Sequence, residues 1–353
     1  MKGAIYMGKQ HEVTKKQPLL NKRGHIMEPG WAKQPIWEYN RDQIHAPAFL
    51  RKEWDYYLVI GDGFGVAFTI SDLGYSGMIS VSYLDLEQGW EHTEMDLDLF
   101  PIGNKYQLGA HSNDGYAEYQ GKKIHLRFDT RAHKRRIQCV FADFYNGQEL
   151  RADIVLDQPD MDTMCIATPW KEKPTAFYYN QKINCMPARG NVHFEGVRHS
   201  FDPKLHFGIL DWGRGVWTYD NVWYWGTASA YVNGKPFGMN LGYGFSDRSY
   251  ATENMIFYDG VCHKLDEVVI QIPKDAGGNY AYMSPWCIFS TDRRLDGIFT
   301  PILDRNADLN LLIVATMQHQ VFGSFNGMVT LDNGEKLEIH NLICAIEHVH
   351  NRY

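Results

Sequence analysis

The run WDYYLVIGDGFGVAFTISDLGYSGMISVSYLDLE, Trp54 to Glu87, decides the fold class. Met78, Ser80 and Ser82 alternate with Ile79, Val81 and Tyr83, the two-residue period of a strand with one face turned to a core. The string GDGFG at 61–65 lacks the full G-x-G-x-x-G spacing and runs into more strand, not into a helix. It therefore reads as a hairpin tip and not as a dinucleotide-binding turn.

Working outward, residues 1–50 are polar, carry Lys and Pro, and hold no sustained period. They predict an extended arm wrapping the body, held by Trp31, Trp37 and Tyr39. Residues 84–118 are acidic and rich in Gly and Asn, and read as a long loop or an irregular pair of strands. KKIHLRFDTRAHKRRIQCVFADFYNGQELRADIVLD then predicts successive antiparallel strands, with Asn146-Gly147 as a type I′ turn. The basic run Arg131–Arg136 falls at a turn, and a solvated hairpin end accounts for it better than a phosphate site. Prolines at 159, 169, 174 and 187 with little alternation predict a linker over 166–195, between a first β-domain (51–165) and a second (196–353). Hairpin signals recur at Asn233-Gly234, Asp259-Gly260 and Asn333-Gly334, while residues 305–318 read as a helix or a loop entering a strand. Short strands, tight turns and almost no helical period predict an all-β protein of sandwich or barrel type.

Bulk properties narrow the function. The 353 residues are 44% hydrophobic and 14% aromatic, so disorder is excluded and core is ample. A net charge of −7, spread along the chain, calls for neither nucleic acid nor an anionic membrane. The six cysteines show no CxxC and no zinc spacing, and read as reduced core residues. No apolar signal region or bilayer-length stretch stands out, so a soluble, cytoplasmic protein is expected. Nucleophilic-serine, phosphate-loop and HExxH motifs are absent, which argues against hydrolase, kinase and metalloprotease readings.

Chemistry concentrates in Leu205–Asp247, LHFGILDWGRGVWTYDNVWYWGTASAYVNGKPFGMNLGYGFSD. Trp212, Trp217, Trp223 and Trp225 surround two charges, Asp211 and Arg214, and Tyr243 follows. Either this is an aromatic β-core or it is a ligand site, because charges beside tryptophans need a partner or a purpose. Asp211 and Arg214 sit on opposite faces if the segment is a strand, and form a bidentate pair if Gly213 and Gly215 bend it. The pair would then organise the seam between the domains; alternatively Asp211 is an acid with its pKa raised by an aromatic cavity. Glu253 and Asn254 read as a proton donor with its orienting carboxamide, or as strand-end capping. In the polar tail 347–352, His348 and His350 share a strand face, with Glu347 and Val349 on the other. A zinc site there lacks a third ligand; one charged member pointing inward is expected. Asp72 reads as structural, held by backbone amides.

Five ordered blocks carry a resemblance: WDYYLVIGDGFGVAFTISDLGYSGMISV, FYYNQKINCMPARG, LDWGRGVWTYDNVWYWGTASA, ENMIFYDGVCHKL and HQVFGSFNGMVTLDNGEKLEIHNLICAIEHVHNRY. Through them the chain resembles the DUF2804 family over nearly its full length. That family is distantly similar to a lipocalin-like superfamily of two-barrel proteins that includes carotenoid hydratases, kievitone hydratase and tocopherol cyclases. The resemblance implies two calycin-type antiparallel barrels or half-barrels side by side. It also implies chemistry on hydrophobic substrates, by protonating or hydrating carbon–carbon double bonds.

Together these readings predict a cofactor-free, metal-free enzyme using acid/base chemistry on an apolar or polyhydroxylated small molecule. Asp211, Glu253 and His348 are the expected catalytic residues. Arg214, Trp212, Trp217, Trp223, Trp225, Tyr243 and Asn254 are the expected substrate contacts. Asp211, Arg214, Trp223, Glu253 and His348 are expected to converge on one cavity near the seam. A non-catalytic carrier of a hydrophobic ligand and a carbohydrate-active enzyme with paired carboxylates are the alternatives.

Overall fold

The computed structural model describes residues 10–311 and 314–352. The arm contributes short strands β1 (Gln17–Pro18), β2 (Gly30–Ala32) and β3 (Trp37–Glu38). The next nine are β4 (Arg51–Gly61), β5 (Phe64–Asp72), β6 (Ser76–Asp85), β7 (Trp90–Leu99), β8 (Gly115–Gln120), β9 (Ile124–Arg131), β10 (Lys134–Tyr145), β11 (Gln148–Asp157) and β12 (Met164–Trp170). Then come β13 (Lys173–Phe194), β14 (Val197–Phe201) and β15 (His206–Val216). The remainder are β16 (Asp220–Val232), β17 (Lys235–Tyr243), β18 (Met255–Tyr258), β19 (Val261–Lys264), β20 (Val268–Gln271), β21 (Trp286–Ser290), β22 (Leu295–Leu311), β23 (Val314–Thr330) and β24 (Lys336–Arg352). No α-helix occurs among the described residues.

The strands form two curled antiparallel half-barrels. The first runs β7-β6-β5-β4-β15-β13-β11-β10-β9-β8, and the second β19-β18-β17-β16-β24-β23-β22-β21-β20. Side chains bridge the open side of the first: the hydroxyls of Tyr119, in β8, and Tyr106, before it, donate to Asp96 and Asp98 of β7. Each half-barrel is filled by alternate residues of its own strands, around Phe68, Phe141 and Trp212 in one and Trp286, Phe299 and Phe325 in the other. The opposite faces of β4, β13 and β15 pack against β16, β24 and the β17–β18 region, so these central strands are buried on both sides. The arm spans the two bodies: β2 pairs with β12, and the Gln10 side chain bonds Thr252 and Leu265. Val13, Leu19, Trp31, Trp37 and Tyr39 are buried, as an anchored arm requires.

The expected linker over 166–195 is instead strand, and the chain leaves the first sheet only between Val216 and Asp220. Two-sided burial explains the missed strand. From Ala176 to Met186 every residue of β13 is buried, so no hydrophobic–polar alternation exists to be read. Its proline at 187 follows a bulge at Asn184–Cys185, where the register shifts and Cys185 adopts a φ of 59°. Residues 305–311 likewise extend β22, and Trp90–Leu99, expected to be irregular, is a regular edge strand. The turns at 146–147, 233–234 and 259–260 carry positive φ at both residues, as type I′ demands. At 333–334 only Gly334 does, within a longer loop. Asp72 accepts from the Gly74 amide, in the structural role expected of it.

Candidate functional site

Strand parity distributes the chemistry. Asp211 lies on β15 with its carboxylate facing the seam, and Arg214, three residues on, faces the interior of the first half-barrel. The expected Asp211–Arg214 pair therefore does not form. Arg214 is fully buried, ion-paired with Asp55 at 3.0 Å, bonded to the Gly109 carbonyl, and stacked 4.1 Å over Trp212, which shares its face.

Asp211 instead meets Lys182 of β13, Nζ to Oδ2 at 2.5 Å. Its other oxygen accepts from the Asn180 carboxamide at 2.7 Å and the Trp54 indole at 3.1 Å. The same ammonium stands 3.8 Å from Glu253 and 4.5 Å over the Trp225 ring. Across the seam Glu347 of β24 accepts from the Trp223 indole at 2.8 Å and from Gln320 at 3.1 Å, and Gln320 accepts from Tyr56. Trp54, Trp217, Trp223, Tyr178 and Phe245 complete the wall through edge-to-face contacts.

Two glycines make this assembly possible. A Cβ at Gly213 would sit 2.1 Å from the Trp54 ring, so only glycine lets that indole lie across β15 toward Asp211. A Cβ at Gly242 would sit 2.6 Å from Glu253 Oε2, so the bare backbone of β17 admits that carboxyl.

Asp211 and Glu253 thus share one ammonium, with the buried carboxyl of Glu347 nearby, in a site that water scarcely reaches. Burial raises Glu253 above the ordinary carboxylate range, opposed by Lys182 and reinforced by the charge of Asp211. Glu347 is pushed up to about 7 by burial, with Asp211 again raising it, despite the stabilising bond from Trp223. The Tyr178 hydroxyl beside Glu253 is held well above its usual range, first by burial and then by the charge of Glu253. Asn180 Oδ1 and Trp217 Nε1 are buried and make no hydrogen bond within the described protein, leaving one acceptor and one donor for a bound molecule. Asp211 keeps 14% of its side chain exposed, and Trp54 and Trp223 are half-buried, which marks the open side of the cluster.

The structure therefore brings Asp211, Glu253, Trp217, Trp223 and Trp225 to one place and sends the other predicted residues elsewhere. Arg214 and Trp212 point into the first half-barrel. His348 lies on the face of β24 opposite Glu347, stacked at 4.4 Å on Tyr224 inside the second half-barrel, where Tyr282 bonds its Nδ1. Burial and the neighbouring His319 and His350 depress it to about 4. Tyr243 stacks on Tyr224 on that same side, and its hydroxyl accepts from the Ile270 amide. Asn254 spends its carboxamide on the Gly242 amide and the Asp266 carbonyl, so it is a strand tie. No group of three metal-ligating side chains occurs among the described residues. His350 pairs with Asp220.

Lys182, Glu347, Asn180, Tyr178 and Trp54 were not picked out as site residues from sequence. Lys182 sits in FYYNQKINC, and a single charge in an otherwise uncharged run from Pro174 to Ala188 is the signal that was available.

The fold of two half-barrels joined back to back matches other solved structures over most of their length. Kievitone hydratase from Nectria haematococca covers 96% of this chain and 98% of its own at 11% identity, with a TM-score of 0.55. A protein from Nitrosomonas europaea covers 91% and 98% at 11% identity and a TM-score of 0.52. CghA, solved with Sch210972, covers 85% and 88% at 10% identity and a TM-score of 0.50. At these identities the likeness is one of fold. No curated protein matches the chain in sequence. The chain belongs to the family Domain of unknown function (DUF2804), matched over residues 10–353.

Proposed function

We propose that the protein is an acid/base enzyme that adds water across, or removes it to form, a carbon–carbon double bond in a largely apolar small molecule, at the seam between the half-barrels. The observation that carries this reading is the carboxyl set itself: Glu253 and Glu347 raised by burial, beside Asp211 anchored by Lys182, inside a tryptophan wall. A carboxylic acid near 7 is suited to protonating a weakly basic carbon at neutral pH. In the addition direction the Glu347 proton goes to one alkene carbon, and the π electrons form the new C–H bond. Water attacks the other carbon, and its released proton goes to the Asp211 carboxylate. Proton return from Asp211 to Glu347 restores the enzyme, so the net reaction consumes only alkene and water. Trp54, Trp217 and Trp223 flank the developing cation with π faces.

One of the structural neighbours, kievitone hydratase, is a hydratase, in agreement with this chemistry. A sugar-cleaving reading fits less well, because the carboxyls are buried and Asp211 and Glu253 are bridged by one ammonium, where a glycosidase sets its pair across the scissile bond. The test begins with native mass spectrometry of the purified protein to identify a co-purifying small molecule. That molecule is then incubated with enzyme in ¹⁸O-water. Incorporation of one labelled water, lost in Glu347→Gln with binding retained, is the expected result. Release of an unaltered ligand by the wild-type protein would replace the enzyme with a carrier.

A further inference from the structure

A separate cavity of about 240 Å³ opens into the first half-barrel, on the far side of β15 from the seam. At its floor is Arg135, which the sequence placed in a solvated basic turn with Arg131 and Arg136. The strand period turns Arg135 inward, while Arg136 remains outside and pairs with Asp153. Arg135 is 1% exposed, and all four of its hydrogen bonds go to neutral oxygens: two to Gln158, one to Tyr57 and one to Thr130. The other buried cation here, Arg214, is already paired with Asp55, and that pair also anchors the 107–117 segment through Gly109. Two carboxylates line the same cavity, but Asp55 is paired with Arg214 and Asp114 with His111, and no carboxylate of the described residues forms an ion pair with Arg135. Buried charges are ordinarily paired, and a desolvated arginine is a strong partner for a carboxylate.

We infer that this cavity is a second binding site, for a small monocarboxylate whose carboxyl group meets Arg135, Tyr57 and Thr130. The bonds from Arg135 to Tyr57 and Thr130 are long, at 3.2 and 3.3 Å, and the two hydroxyls can rotate to donate to an anion. Phe128, Leu210 and Tyr116 line the same cavity and supply an apolar wall for the body of the acid. The volume lies below the range of drug-sized sites, so a compact acid fits and a long-chain one does not. His111 and Asp114, 3.3 Å apart and exposed, line the same cavity.

The experiment uses the full chain with benzoate as probe, benzamide as its neutral isostere, and inorganic phosphate as a competing anion. Binding is read by calorimetry and located by hydrogen exchange. Benzoate should bind and protect the backbone of 107–117, benzamide should bind at least about tenfold more weakly, and Arg135→Gln should lose the response. Should Arg135→Gln fail to fold, Thr130→Val keeps the shape and removes one hydroxyl, and should weaken benzoate by about tenfold. Equal binding of benzamide, protection confined to the seam around Lys182, a response to phosphate but not benzoate, or no response to any probe would each overturn the assignment.

Discussion

Replacing Glu347 by glutamine separates the stability of the seam from its chemistry. Glu347 is 9% exposed, and its carboxyl is moved from 4.5 to about 7. Because the folded-state value is raised, the folded protein holds a proton that the unfolded chain releases. The group's contribution to stability is full below pH 4.5 and is lost as pH rises toward 7. At ~1.36 kcal/mol per pH unit, that window amounts to about 3 kcal/mol. The introduced glutamine would not titrate, but it would present an amide to one of the two donors at this position, Trp223 and Gln320, at a cost of about 1 kcal/mol. Glu347→Gln should therefore be slightly less stable than wild type at about pH 5 and more stable by about 2 kcal/mol at about pH 8, with turnover lost throughout. Denaturant unfolding of both proteins at intervals across that range measures the difference. A difference that is flat with pH, or that grows less favourable to the variant as pH rises, would mean that Glu347 is an ordinary ionised carboxylate.

Lys182→Met should destabilise by about 3–5 kcal/mol at mildly alkaline pH, because Asp211 and Glu253 lose the ammonium between them, and by less as pH falls, because burial raises Glu253 so that it takes up a proton before an ordinary carboxylate would; a loss independent of pH would refute the shared-charge arrangement. Gly213→Ala should cost about 1–3 kcal/mol and shift tryptophan fluorescence, since its Cβ would collide with Trp54; a silent variant would show that Trp54 does not lie across β15. Asp211→Asn should abolish turnover while retaining Asn180 and Trp54 as neighbours, and should cost less stability than Lys182→Met, because Glu253 still stands 3.8 Å from the ammonium; a loss as large as that of Lys182→Met with turnover retained would make Asp211 a structural partner of Lys182 and no more. Chelator treatment should leave the melting temperature unchanged, and a loss of stability with release of zinc would contradict the ligand inventory of the described residues.

The fold class was legible because most strands are buried on one face and punctuated by turns with positive φ, as at Asn233-Gly234. What escaped was the strand with no such pattern: β13 is buried on both faces and bent by a bulge, and so resembles a linker in composition. The site was half legible. Asp211, Glu253 and the tryptophans stood out as acids amid aromatics. Parity alone then separates Asp211 from Arg214, and Glu347 from His348, and parity can be applied only once each segment is known to be a strand. Lys182 was hidden for a different reason. Its partners lie 29 and 71 positions away, brought to it by the β13–β15 pairing and by the seam, so no local spacing could reveal them.

The most direct measurement is ¹³C NMR titration of the glutamate side-chain carboxyls, with Glu347→Gln used to assign the resonance. A carboxyl that vanishes in the variant and titrates near 7 is the predicted result, since the proposed chemistry needs an acid still protonated at neutral pH. A Glu347 carboxyl that is fully ionised by about pH 5, as an unperturbed glutamate nearly is, would contradict it.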